Sequence, residues 1–305
     1  MNETETQGAE LIPLQDLDRG NPMIWEGEEP AQGVFVAPGE DSDPLALLGS
    51  PSVTLPVAPR LPSDFEISAA LGARLRALDE ALQSVAGGER NAARVSLETL
   101  DPADREAVPL LLGNGEVSGS LTLDAIAYQF QEAVTPGVWM VTGSDGSNWL
   151  EVAAVPGIVD SAASSLRQAP IALPQHVPEV MNGLAVLAEV NEHAAQWDGA
   201  APHNRILNFT LMPMSPQDQQ LLIDVLGRAE LVLESGGFGN CRVMATTVRH
   251  VWAVQYVNAM GNTILDTLEI GRIPDAVLAA QEDFEDSAKR LRQILDTYLD
   301  QHCAQ

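Results

Sequence analysis

The residues best suited to chemistry lie in Ser235-Gly236-Gly237-Phe238-Gly239-Asn240-Cys241-Arg242, followed by Arg249, His250, Trp252 and Tyr256. A cysteine thiolate is both a nucleophile and a metal ligand, and a nearby guanidinium or imidazolium lowers its pKa. If the segment is a strand, Arg242 faces away from its neighbour Cys241. An activating cation would then come from Arg249 or His250. No acid partner for a Cys–His nucleophile and no oxyanion hole is evident. Cys241 therefore reads in two ways, as a small buried hydrophobe or as a reactive thiol, and both stay open. Gly236, Gly237 and Gly239 imply unusual backbone angles or close approach by another chain. A tight turn or bulge at a sheet edge fits the same pattern. No Gly-Lys-Ser/Thr follows, and no strand–loop–helix context surrounds the glycines, so neither nucleotide-binding fingerprint is present.

Metal chemistry is poorly supplied. The chain has 2 cysteines, Cys241 and Cys303, and 5 histidines, with no C-x-x-C pair. That is not a disulfide framework, and it falls short of the usual four thiolates of an iron–sulfur cluster. Zinc would need Cys241, His250 and distant carboxylates, without supporting spacing. The expectation is a chain with no cofactor. Arg242, Arg249 and Arg272 stand out because cations are scarce, with 16 basic residues against 43 acidic ones and a net charge of −27. They read as internal salt bridges or as contacts to a partner's carboxylate or a cluster sulfur. The overall charge repels phosphate backbones and anionic lipid, which disfavours nucleic-acid and membrane-surface roles. No apolar run is long enough to span a bilayer. The opening MNETETQGAE lacks the plan of a secretion signal, so the reading is cytoplasmic, without membrane insertion.

The elements that must position these residues occur twice. SLETLDPADREAVPLLLG at 96–113 is matched by TLMPMSPQDQQLLIDVLG at 210–227, with Leu97, Pro102, Asp104 and Gly113 answering Leu211, Pro216, Asp218 and Gly227 at one constant offset. Val138-Trp139 answers Val251-Trp252, and Leu150-Glu151-Val152 answers Leu268-Glu269-Ile270. At the same offset Ala127 stands where the second copy has Cys241.

Residues 1–65 are rich in Pro, Gly and acids and read as an extended or disordered segment. Residues 66–156 form the first unit, beginning with a helix whose stripe is Ile67, Leu71, Leu75, Leu78, Leu82 and Val85. Residues 157–177 are a linker. Residues 178–305 repeat the plan, with Met181, Leu184, Leu187 and Val190 inward on a helix over 178–196. A last helix carries Phe284, Ala288, Leu291, Leu295 and Tyr298. Each unit reads as helix, short strand, helix and antiparallel meander. The predicted fold class is α+β, two tandem pseudo-repeats of helices packed on an antiparallel sheet.

Over roughly residues 66–298 the chain resembles the hydrogenase expression/formation proteins of the HupH, HyaF and HoxQ type. The resemblance rests on LMPMSPQDQQLLIDVLGRAELVLESGGFGNCRVMATTVRHVWAVQYVN and TLEIGRIPDAVLAAQEDFEDSAKRL. It implies a non-catalytic accessory chaperone in maturation of a membrane-bound uptake NiFe hydrogenase. The implied client is the iron–sulfur small-subunit precursor, held before export and engaged in part through its twin-arginine leader. A thioredoxin-like accessory protein and a rubredoxin are implied as fellow partners. The binding residues would be Gly237, Phe238, Gly239, Asn240, Cys241, Arg242, Arg249, His250, Trp252 and Tyr256. Two other readings stand beside it: a thiol-based enzyme or repair factor in cluster assembly using Cys241, and a non-catalytic assembly scaffold.

Overall fold

The computed structural model describes residues 67–88, 93–236, 240–258 and 262–299. The N-terminal segment 1–65, the glycine-rich residues Gly237, Phe238 and Gly239, and Cys303 lie outside the described residues.

The first helix, α1 (Ala69–Ala86), buries Leu71, Leu75, Leu78, Leu82 and Val85, recurring at steps of three and four as an amphipathic helix requires. Ser68 caps it, its Oγ accepting the Leu71 N–H at 3.1 Å and donating to Asp104 at 2.6 Å. The chain continues through β1 (Ala93–Ser96), α2 (Pro102–Leu112), β2 (Val117–Leu123), β3 (Ile126–Glu132), β4 (Val138–Gly143) and β5 (Asn148–Val152). Next comes α3 (Gly157–Ser165), a short helix inside the stretch 157–177, which buries Ile158, Val159 and Ala162.

The second half runs α4 (Gly183–Gln196), β6 (Arg205–Asn208), α5 (Pro216–Leu226), β7 (Leu231–Ser235), β8 (Asn240–Ala245), β9 (Val251–Val257) and β10 (Thr263–Ile270). A 3-10 turn at Asp275–Val277 leads into α6 (Gln281–Leu299). Ser215 and Asp218 form a capping box at the start of α5. Asp218 also receives the N–H groups of Met181, Asn182 and Gly183 at 2.9, 2.9 and 2.7 Å. Its burial would raise the carboxyl pKa, but the hydrogen bonds from Gly183, Ser215 and Met181 outweigh it and hold the group below the usual range. These bonds explain why α4 starts at Gly183 rather than near 178. Leu187 and Val190 are buried as the stripe predicts, whereas Met181 precedes the first turn and is exposed.

Among the described residues, ten strands join one antiparallel sheet in the order β1-β5-β4-β3-β2-β7-β8-β9-β10-β6. The halves meet where β2 pairs with β7, Gly119 standing opposite Leu233. On one face, α1, α2 and α6 bury Leu71, Leu150, Phe284 and Leu291 at one end. At the other end α4 and α5 bury Leu187, Leu222, Val251 and Leu268 on that face. Thus α6, the last element of the second half, packs on α1 of the first. On the opposite face α3 and the 3-10 turn cover a core containing Trp139, Trp252, Val243 and Cys241.

Candidate functional site

The sheet separates the residues that the sequence places side by side. Cys241 stands on β8 opposite Tyr256 on β9 and Ser235 on β7. Its side chain joins the core beneath α3 and is 4% exposed. Burial pushes the thiol up to about 11, against a lowering by its hydrogen bond with Tyr256, while the Glu269 charge adds to the rise. Tyr256 is itself pushed up to about 12, by burial first and then by Cys241. A thiol in this setting is protonated at neutral pH and packs as a small hydrophobe.

Arg242 points to the other face, as alternation along a strand dictates. Its Nε lies 3.2 Å from Glu234 Oε1, outside hydrogen-bond geometry, and its side chain is 33% exposed. Register aligns a polar row here that local sequence does not reveal. Gln131, Ser118, Glu234, Arg242 and Gln255 stand opposite one another across β3, β2, β7, β8 and β9. Gln255 is buried and its Nε2 has no hydrogen-bond partner.

Arg249 and His250 lie at the other end of β8, in the turn to β9. The Arg249 N–H donates to Arg167 O at 2.8 Å, and the His250 carbonyl accepts from Gly271 N–H at 2.8 Å. His250 adopts φ 66 and its ring lies 6.1 Å from that of Trp197. Burial and then the Arg249 charge hold its pKa below the ordinary histidine value. Asn240 is exposed at the start of β8. Trp252 is buried opposite Glu269, its Nε1 without a hydrogen-bond partner, while Trp139 in the first half donates to Ala153 O at 2.9 Å. The structure therefore brings Cys241 and Tyr256 together, sets Arg242 on the opposite face, and puts Arg249 and His250 at the far end. Among the described residues, no group of three or more His, Cys, Asp or Glu is placed to hold a metal ion. No described helix is long and apolar enough to cross a membrane.

This geometry predicts slow alkylation. In a Cys303→Ala background, iodoacetamide should leave Cys241 unmodified at pH 7.5 in the folded protein and label it after denaturation. Rapid labelling without denaturant, followed by mass spectrometry, would restore the reactive-thiol reading.

The fold and this site define an α+β protein on a single antiparallel sheet, whose cysteine among the described residues is a core side chain. Residues 180–298 match the family model described as HupH hydrogenase expression protein, C-terminal conserved region. The chain is 44% identical to the hydrogenase expression/formation protein HupH of Rhizobium leguminosarum bv. viciae, over 64% of this chain and 71% of that one. It is 36% identical to HupH of Rhodobacter capsulatus, covering 84% and 92%, and 34% identical to HoxQ of Cupriavidus necator, covering 87% and 96%. The chain belongs to this family of hydrogenase expression/formation proteins.

Proposed function

We propose that this chain is a non-catalytic chaperone in hydrogenase formation, which holds the iron–sulfur small-subunit precursor in the cytoplasm before export and works beside other accessory proteins. Its relatives are named as hydrogenase expression/formation proteins. The observation that carries the non-catalytic part is Cys241: the most chemically promising side chain is packed in the core and protonated. Cluster chemistry then belongs to the client, which owns the cysteines. The net charge of −27 suits a client with a basic leader.

In this reading the chain is two tandem copies of one unit, each a set of helices on an antiparallel sheet. The matching strand orders, β1-β5-β4-β3-β2 and β6-β10-β9-β8-β7, support the duplication. The second copy is the client-binding one, through the segment from Gly237 to Arg242 and the neighbouring Arg249, His250, Trp252 and Tyr256. The exposure of Asn240 at the start of β8 supports an outward-facing contact there. Copurification tests the proposal. The affinity-tagged full chain, isolated natively from hydrogenase-producing cells, should carry the small-subunit precursor in near-equal amount. A preparation free of precursor, from cells shown to contain it, refutes the assignment.

A further inference from the structure

The two edges of the sheet share a strand order but set different residues against an equivalent glutamate. Arg94 on edge strand β1 stands opposite Glu151 on β5; Ile206 on edge strand β6 stands opposite Glu269 on β10. At β1 the carboxylate is fully served. Arg94 Nε donates to Glu151 Oε2 at 3.1 Å, Gly157 N–H donates to Oε1 at 2.9 Å, and Trp149 Nε1 donates to Oε2 at 2.9 Å. The Arg94 guanidinium also lies 5.0 Å above the Trp149 ring. A charged side chain at such a place is a usual protection of a sheet edge against pairing with another chain.

At β6 the place opposite the glutamate is held by the apolar Ile206, and the neighbouring cation, Arg205, is paired with Glu189 at 2.6 Å. Glu269 receives the Asn204 amide at 2.9 Å, and among the described residues no cation lies within ion-pair distance of it. Pro156 is followed by Gly157, whose N–H serves Glu151, whereas Pro274 is followed by Asp275, a second carboxylate. Arg272 is paired with Asp275 at 2.9 Å. Burial and the Asp275 charge raise the Glu269 pKa against the lowering by Asn204.

The strand edge itself is available. Phe209 N–H bonds Asp266 O at 2.9 Å, continuing the β6–β10 ladder. In antiparallel pairing this turns the backbone groups of Ile206 and Asn208 away from β10. Ile206 is 53% exposed. Leu211, just beyond the strand, is 83% exposed. The Asn182 amide donates to Pro213 O at 2.6 Å, which sets the exposed Met181 beside the same loop. Among the described residues, an edge without a pairing strand, an apolar margin and a carboxylate without an ion-pair partner thus come together.

We propose that the β6 edge takes an extended segment of a partner protein as an eleventh strand, and that this segment combines apolar residues with an arginine or lysine that reaches Glu269. Main-chain hydrogen bonds would come from Ile206 and Asn208, apolar contact from Ile206, Leu211 and Met181, and charge selection from Glu269. The cation would lie two strand spacings, about 10 Å, from the Glu269 backbone, a span that two extended side chains bridge. This rests on the chaperone reading for the client's identity, but the recognition chemistry stands on the edge alone.

The test uses the full chain and two fluorescein-labelled synthetic peptides, one alternating valine and arginine, the other alternating valine and glutamate. The arginine peptide should bind at least about tenfold more tightly by anisotropy, as charge complementarity at a partly buried carboxylate requires. It should also slow amide exchange in residues 205–208. Ile206→Arg recreates the pairing seen at β1, so its melting temperature should match or exceed that of the unaltered protein while peptide affinity falls about tenfold. Equal binding of the two peptides, no protection at 205–208, or undiminished binding by a folded Ile206→Arg protein overturns the proposal. Should Ile206→Arg fail to fold, Leu211→Ser read by the same anisotropy decides. The small-subunit precursor separates the two claims. If it binds the unaltered chain and the variant alike, the edge is not the docking site while the chaperone assignment stands. If peptide binds but precursor does not, the edge stands and the client assignment falls.

Discussion

Gly119→Ala is expected to destabilise the protein by about 3 kcal/mol, lowering the melting temperature by roughly 6–12 °C for a domain of this size. The sign is opposite to the ordinary effect, since alanine in a strand interior normally improves on glycine by lowering the entropic cost of folding. The reason is local. Gly119 lies in β2 at the junction of the two halves, opposite Phe130 on β3 and Leu233 on β7. A Cβ built there would come within 2.5 Å of the Phe130 ring and 2.5 Å of Val232 O. The ring cannot retreat easily, because Phe130 is 2% exposed and packs edge-on against Trp139 with centroids 6.1 Å apart. Nor can the carbonyl, which belongs to the neighbouring strand. Relief requires β2 and β7 to separate, and that pairing is what makes the sheet continuous. Gly236→Ala is the control, because its added carbon would meet only Glu116 O at 3.7 Å. Thermal melts followed by circular dichroism should show a large loss for the first and little for the second. Similar melting temperatures for both would remove the claim that the junction requires glycine.

What could be read from the sequence follows a physical division. Apolar stripes are local, so the buried leucines of α1 and the buried Leu187 and Val190 of α4 were visible at three- and four-residue spacing. Proline at the first position and glycine at the end bracketed α2 and α5 for equally local reasons. Strand order is a long-range property. Nothing near Gly119 announces that β2 will pair with β7, or that α6 will cross over to α1. The short helix α3, rich in alanine and serine, has too few large apolar residues to show a period. The start of α4 depends on Asp218, thirty-odd residues away, which gathers three N–H groups. The same division governs the candidate site. Alternation placed Arg242 opposite in facing to Cys241, but burial of the thiol depends on α3 and on neighbours from β7 and β9. The contrast between Arg94 and Ile206 became legible only when register set each against its glutamate.

Glu132→Gln should make stability less dependent on pH and higher on the alkaline side. Glu132 ends β3, is 4% exposed, and accepts the Gly137 N–H at 2.8 Å. Burial is the main cause that pushes its carboxyl from 4.5 up to about 7; the Gly137 hydrogen bond opposes this, and the charges of Glu116 and Asp283 add to it. An acid whose folded pKa is raised binds its proton more tightly in the native state. Its protonated form therefore contributes stability below pH 4.5, and that contribution is lost as pH rises through 7. The full swing corresponds to about 3 kcal/mol as an order of magnitude. The consequence reaches beyond one side chain. The turn after Glu132 receives α6: Ser287 Oγ donates to Pro136 O at 2.9 Å, and Phe284 packs so closely on Gly137 that an added Cβ would lie 2.4 Å from its ring. Ionisation of Glu132 thus places a buried charge beside the turn on which the C-terminal helix rests. Glutamine keeps the oxygen that accepts the Gly137 N–H and cannot ionise. Melting temperatures of the two proteins should nearly coincide at pH 5 and separate by pH 8, with Glu132→Gln the more stable. Parallel curves across that range would show that Glu132 is not the group whose ionisation loosens α6.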